Sequence, residues 1–163
     1  MESLPENLAR DLKDIVGSNW VLSDRDRLLA YEADGLTAYR SKPLAVVLPE
    51  TTDQVSRVFK LLSRNDIKVV PRGAGTGLSG GALADPTAVI VGTSKMNTIL
   101  KLDPDNRRAV VQPGVINADL SEAAAPLGLY YAPDPASQSA CTIGGNVAEN
   151  SGGPHCLKYG VTS

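Results

Sequence analysis

Side chains able to do covalent or acid–base chemistry are scarce in this chain: one histidine, His155, and two cysteines, Cys141 and Cys156. A lone imidazole could serve as a base or a metal ligand. Metal ligation needs partners, however, and there is no C-x-x-C pair. No metal ligand is therefore assigned, and both thiols are expected to be buried. Glycine carries more signal. Ten of the 15 glycines fall in two windows: Gly73, Gly75, Gly77, Gly80 and Gly81, then Gly144, Gly145, Gly152, Gly153 and Gly160. Glycine costs roughly 1 kcal/mol relative to alanine inside a regular element, so such concentration calls for positive φ or a close approach. The first window directly follows an apolar strand, where ligand loops sit on a rigid scaffold. The second contains Thr142 to Ala148, which reads as a capped helix start with two glycines in its first turn. Free N–H groups there could hold an anion. A phosphate-bearing ligand is favoured over a pair of floppy surface loops.

The usual nucleotide motifs do not explain these loops. Gly75 to Gly80 matches G-x-G-x-x-G, but a dinucleotide fingerprint needs a helix immediately afterwards. Here Asp85-Pro86 arrives within a few residues, followed by another strand. A Walker A loop fails as well, because no Lys-Ser or Lys-Thr follows the glycines.

The elements that must position these loops follow from periodicity. Leu4, Leu8, Leu12, Ile15 and Val16 share one helical face, with Ser3 and Glu6 as a capping box. A short helix after Ser23 runs through Leu28, Leu29 and Tyr31 towards Gly35. Ala45 to Leu48 is a buried strand, and a helix capped at Thr51 or Thr52 runs to about Ser63 with Val55, Val58, Phe59 and Leu62 inward. With a strand at Ile67 to Val70, this makes a β-α-β unit. Strands follow at 88–91, 99–102 and 108–112, the last two joined as a hairpin by Asp103 to Asn106. Asn117 is expected to cap a helix that stops at Pro126 and Gly128.

Composition bounds the rest. With 163 residues, 21% charged and 42% hydrophobic, the chain is globular rather than disordered. A net charge of −2 argues against nucleic acid or an anionic membrane as partner. The acidic N-terminus has no leader pattern, and no apolar run is long enough to span a bilayer.

Four separated stretches carry a family resemblance: Pro71 to Ala82, Pro113-Gly114-Val115, Tyr130 to Ser137, and Cys141 to Gly153. In this order they resemble the FAD-linked oxidases of the vanillyl-alcohol oxidase type, the flavin domain shared by glycolate, D-lactate and D-2-hydroxyglutarate dehydrogenases. Tyr31 to Arg40 and His155 to Gly160 are similar to the glycolate-oxidising branch.

The resemblance implies an α+β fold: a PCMH-type FAD-binding domain, with its first α/β subdomain and the start of the second, incomplete at the C-terminus. A helical segment would occupy 1–41 and the flavin domain 42–163. Arg72, Gly73, Ala74, Gly75, Thr76 and Gly77 would wrap the FAD diphosphate with backbone N–H groups. Thr142, Gly144, Gly145 and Asn146 would add donors. Pro113, Gly114, Pro133, Ala136, Ser137, Cys141, Ala148, Tyr159 and Gly160 complete the implied cofactor contacts. Thr76 stands where relatives that bond FAD covalently carry histidine, so FAD is expected to be non-covalent. The resemblance also gives His155 a structural or flavin-adjacent role and leaves no residue of this chain assigned to catalysis.

The implied reaction of the whole protein is oxidation of a small 2-hydroxy acid such as glycolate or D-lactate, with electrons leaving through an iron–sulfur partner subunit. No nucleic acid and no transmembrane segment enter this picture. The implied location is cytoplasmic, with membrane association only through partners. The chain alone is expected to hold FAD weakly and to turn over no substrate. Two other readings are a non-catalytic FAD-binding or assembly fragment and an NADPH-dependent reductase of the same flavin fold.

Overall fold

The computed structural model describes residues 4–162. They form two compact units that divide between Lys95 and Met96. Ser3 of the expected capping box lies outside the described residues.

The first unit is built on a four-stranded sheet. Its strands are β1 (Val21–Leu22), β2 (Ala45–Val47), β3 (Lys68–Arg72) and β4 (Ala88–Gly92), in the order β1-β2-β4-β3. β2 and β3 both pair with β4 in parallel, and β1 closes the other edge antiparallel to β2. The expected β-α-β unit is present, with β4 inserted between its two strands. Strand alternation sorts side chains to the two faces. Ala45, Val47, Val89 and Val91 pack with helices α1 (Glu6–Val16) and α3 (Thr52–Arg64). Val46, Leu48, Ala88 and Ile90 pack with Leu22, Leu28 and Ala84 on the other side. Both faces of β4 are thus covered, which explains its uninterrupted apolar run.

The α1 stripe matches the expected periodicity, with Leu8, Leu12 and Val16 buried. Thr51 caps α3, its Oγ1 accepting from the Gln54 amide at 3.2 Å. Val58 and Leu62 are fully buried, whereas Phe59 is 40% exposed. Phe59 follows Val58 directly, so it points about 100° away from that stripe. The helix after Ser23 is shorter than expected: α2 (Arg25–Leu28) passes at once into a 3₁₀ turn at Leu29–Tyr31.

The second unit contains the expected hairpin, β5 (Ile99–Asp103) and β6 (Arg108–Val111), turning through residues 104–107. Next come α4 (Asn117–Ala124), a 3₁₀ turn closed by Gly128 in the left-handed region, α5 (Ile143–Ala148) and α6 (Cys156–Tyr159). Val115 to Asn117 runs beside Cys141 to Ile143, through an Ile116–Thr142 bridge and bonds at 2.9 and 3.0 Å. Ile116, not Asn117, occupies the cap position of α4. Asn117 is fully buried, its side chain drawn inward rather than folded over its own helix end.

Candidate functional site

Each unit carries one of the two glycine windows. In the first, the chain leaves the C-terminal end of edge strand β3 and enters the loop 73–81. Ligand loops gather at such strand ends in α/β sheets. Gly75 adopts φ +72°, and a Cβ there would also run into the Arg72 guanidinium. Arg72 is only 7% exposed. Its Nη2 donates to the Ala33 carbonyl at 2.8 Å and its Nη1 to the Ala82 carbonyl at 3.2 Å. The guanidinium carbon lies 5.5 Å from the Tyr31 ring centroid. Burial lowers the guanidinium pKa, and nearby Tyr31 and Asp34 oppose that shift; it remains a cation.

The amides of Gly73, Ala74, Gly75, Thr76 and Gly77 donate to no protein acceptor among the described residues. Backbone donors left unpaired at a half-buried or exposed loop are met by water or by a ligand. Five in succession behind a strand end offer donors to a phosphate oxygen. The diphosphate of a dinucleotide therefore fits this loop, met by N–H dipoles.

The second window behaves differently. Thr142 caps α5 as expected, accepting from the Gly145 amide at 3.3 Å. The amides of Ile143, Gly144 and Asn146 donate to the carbonyls of Val115, Pro113 and Thr142 at 2.8–2.9 Å. The expected free donors of this first turn are thus spent within the protein. The glycines here serve close approach of chain to chain. A Cβ on Gly144 would sit 2.7 Å from Pro113 Cβ, and one on Gly153 would collide with the Asp134 carbonyl. Gly152 faces Val161 and Cys156.

A polar network organises the surrounding segments. Asn146 Nδ2 donates to Asn117 Oδ1 at 2.8 Å, and Asn117 Nδ2 donates to the Pro133 carbonyl at 3.2 Å. Ser137 accepts from the Ala140 and Cys141 amides, both at 2.8 Å, while the amides of Ala136 and Ser137 donate to nothing among the described residues. Gly114 donates to the Met96 carbonyl at 2.7 Å. Ala148 ends α5 on the surface. Gly160 takes φ +81° beside Tyr159, whose hydroxyl lies 3.0 Å from that of Tyr130. Bonds from Tyr130 and Lys158 lower the Tyr159 pKa, and the Tyr130 pKa is correspondingly raised.

His155 packs edge-on to Tyr130 and Tyr159. Its Nδ1 lies 3.2 Å from Asp134 Oδ2 and its amide donates to Asp134 Oδ1 at 3.0 Å, so Asp134 sets both ring and backbone. Cys141 is buried as expected, but Cys156 is exposed. It sits on the four-residue α6, which buries no side chain. Tyr130 and Tyr159 also border a cavity of about 530 Å³ in this unit, with Arg108, Leu120, Leu129 and Ile143 among its walls. Arg107 and Arg108, where the chain enters β6, both line it. Two functions were not visible in the sequence: the inward role of Asn117, which mimics a cap, and the reach of Arg72 back to Ala33. Among the described residues, no helix is long and apolar enough to cross a membrane, and no cluster of metal-ligating side chains occurs.

The FAD binding domain family matches residues 43–163. Glycolate oxidase subunit GlcD of Escherichia coli (strain K12) is 52% identical over 151 residues, 93% of this chain and 30% of that protein. D-2-hydroxyglutarate dehydrogenase of Stutzerimonas stutzeri (strain A1501) is 39% identical over 155 residues, 95% of this chain and 33% of that protein. The chain thus spans about a third of the length of these relatives. Among solved structures, alkyldihydroxyacetonephosphate synthase superposes with a TM-score of 0.87 over 98% of this chain and 34% of its own, at 23% identity, a likeness of fold.

Proposed function

Since the chain belongs to the FAD binding domain family, we propose that it is the FAD-holding part of a flavin-dependent 2-hydroxy-acid dehydrogenase. The observation that carries this reading is the run of five unpaired amides from Gly73 to Gly77 behind β3. Those amides bind the FAD diphosphate, and the buried Arg72 cation beside them adds a favourable field. Thr76 presents a hydroxyl and no nucleophilic nitrogen, so the cofactor is held without a covalent bond. Pro113, Gly114, Pro133, Ala136, Ser137, Cys141, Thr142, Gly144, Gly145, Asn146, Ala148, Tyr159 and Gly160 supply the remaining contacts. In the second unit the free amides of Ala136 and Ser137 are the available donors, because those of the α5 first turn are taken.

When bound, FAD supplies the hydride acceptor for oxidation of an alcohol carbon. The residues of this chain bind and orient the cofactor, and none of them is assigned the substrate proton. The names of the relatives support small 2-hydroxy acids, glycolate foremost, as substrate class. The word subunit in the name of the E. coli relative supports a multi-chain assembly. Within it an iron–sulfur partner takes the electrons, and the protein resides in the cytoplasm, reaching the membrane only through such partners.

The test uses the protein in its full natural length, loaded with FAD under anaerobic conditions. Glycolate, D-lactate, D-2-hydroxyglutarate and NADPH are added separately while visible flavin absorbance is followed. Bleaching by a hydroxy acid is expected. Bleaching by NADPH alone would assign a reductase instead, and no bleaching by any of them would leave a non-catalytic FAD carrier.

A further inference from the structure

The glycine loop is not shaped by its own residues alone. Tyr31 to Gly35, an irregular stretch about forty residues upstream, grips it from two directions. Arg72 reaches back to this stretch, its Nη2 on the Ala33 carbonyl at 2.8 Å and its guanidinium beside the Tyr31 ring, while Nη1 holds the Ala82 carbonyl at the far end of the loop. From the other direction, the Gly35 amide donates to the Gly77 carbonyl at 3.0 Å. The approach at Gly35 is tight: a Cβ there would lie 2.5 Å from the Thr76 carbonyl oxygen and 2.8 Å from that of Gly77. The stretch has its own bracing, with the Leu36 amide on Asp34 Oδ1 at 2.8 Å and the Ser41 amide on the Glu32 carbonyl at 2.7 Å.

These contacts use carbonyls and leave donors. Gly77 has its carbonyl engaged by Gly35, while the amides from Gly73 to Gly77 remain unpaired. A loop held by its carbonyls keeps its N–H groups available to an anion and gives up less entropy on binding. The guanidinium suits this task because its planar fork can bond two carbonyls on different segments at once. A lysine ammonium on a flexible stem cannot reproduce that geometry.

We propose that Tyr31 to Gly35 forms a clasp that preorganises the 73–77 loop for the FAD diphosphate, with the Arg72 side chain as a positioning residue rather than a phosphate ligand. The clasp lies outside the matched FAD binding domain, which begins at residue 43. The inference rests on the cofactor reading given above.

The test is carried out on the protein in its full natural length, with four variants, the fourth being Arg72→Ala. Arg72→Lys and Gly35→Ala loosen the clasp from opposite directions. Val58→Ala, in the buried stripe of α3, lowers stability without touching the clasp. FAD affinity is measured by flavin fluorescence, melting temperature by circular dichroism, and amide exchange of residues 73–77 with and without FAD. Either clasp variant is expected to raise the FAD Kd about tenfold or more, the scale of one lost charge-assisted bond. Val58→Ala, although less stable, should keep the Kd near that of the parent. Added methylguanidinium should restore affinity to Arg72→Ala. If Arg72→Lys does not fold, Gly35→Ala alone decides. Clasp variants that bind FAD like the parent, or no worse than Val58→Ala, would overturn the clasp while exchange protection at 73–77 still upheld the cofactor reading. Absence of FAD-dependent protection at 73–77 in the parent would overturn both.

Discussion

Asn146 donates its side-chain amide to the side-chain oxygen of Asn117, 29 residues earlier, at 2.8 Å in a buried setting. Asn117 passes the connection on to the Pro133 carbonyl. One pair of asparagines thereby ties α5 to the start of α4 and to a proline-bounded segment. Removing one partner strands the other in the interior, which costs more than the net value of the bond itself. Asn146→Ala should destabilise the protein by about 1–3 kcal/mol. Urea denaturation measures this, and the double variant with Asn117→Ala should lose less than the sum of the two singles.

Adjacent glycines in α5 should respond very differently to alanine. At Gly144 the new Cβ would meet Pro113 Cβ at 2.7 Å and its carbonyl at 3.0 Å. Overpacking against backbone of this kind costs typically about 1–3 kcal/mol. At Gly145 only Thr142 Oγ1 lies near, at 3.2 Å. There the helical preference for alanine, worth up to about 1 kcal/mol, offsets most of the crowding. Thermal melts of the two variants should therefore separate clearly, with Gly144→Ala the lower.

Asp85 makes acid stability testable. Bonds from Thr87 and Lys68 depress its carboxyl from the usual value near 3.8 to about 2. Thr87 Oγ1 and Lys68 Nζ lie 2.6 and 2.9 Å from it. A depressed folded pKa means that the carboxylate favours the folded state above its unfolded pKa. That contribution fades as pH falls from about 4 towards about 2. The melting-temperature gap between the parent and Asp85→Asn should be largest near neutral pH and close across this acid window. A gap independent of pH would mean that the carboxylate charge is not what matters.

The fold was legible in the sequence where one physical signal dominated. Uninterrupted apolar runs located β2 and β4, and helical spacing located α1 and α3, because those strands are buried on both faces and each helix along one. Phe59 was misplaced because a helical stripe admits its neighbour by hydrophobicity while the backbone turns it outward. The glycine windows were recognised as special, yet sequence cannot separate glycines that leave room for a ligand from those that admit another strand of the same chain. Gly144 and Gly153 are of the second kind. Asn117 was read as a cap because cap and buried network use the same residue type, and only the fold reveals its partner 29 residues away. Cys156 and the reach of Arg72 to Ala33 likewise depend on tertiary placement that no local pattern encodes.

The most direct measurement is amide hydrogen exchange at Gly73 to Gly77 in the full-length protein, with and without FAD. Unpaired in the structure, these amides should exchange fast in the apoprotein and become strongly protected when FAD binds. Those of Ile143 to Asn146, already bonded within the protein, should be slow in both states. Tight FAD binding with no change in exchange from Gly73 to Gly77 would contradict the assignment of this loop to the cofactor diphosphate.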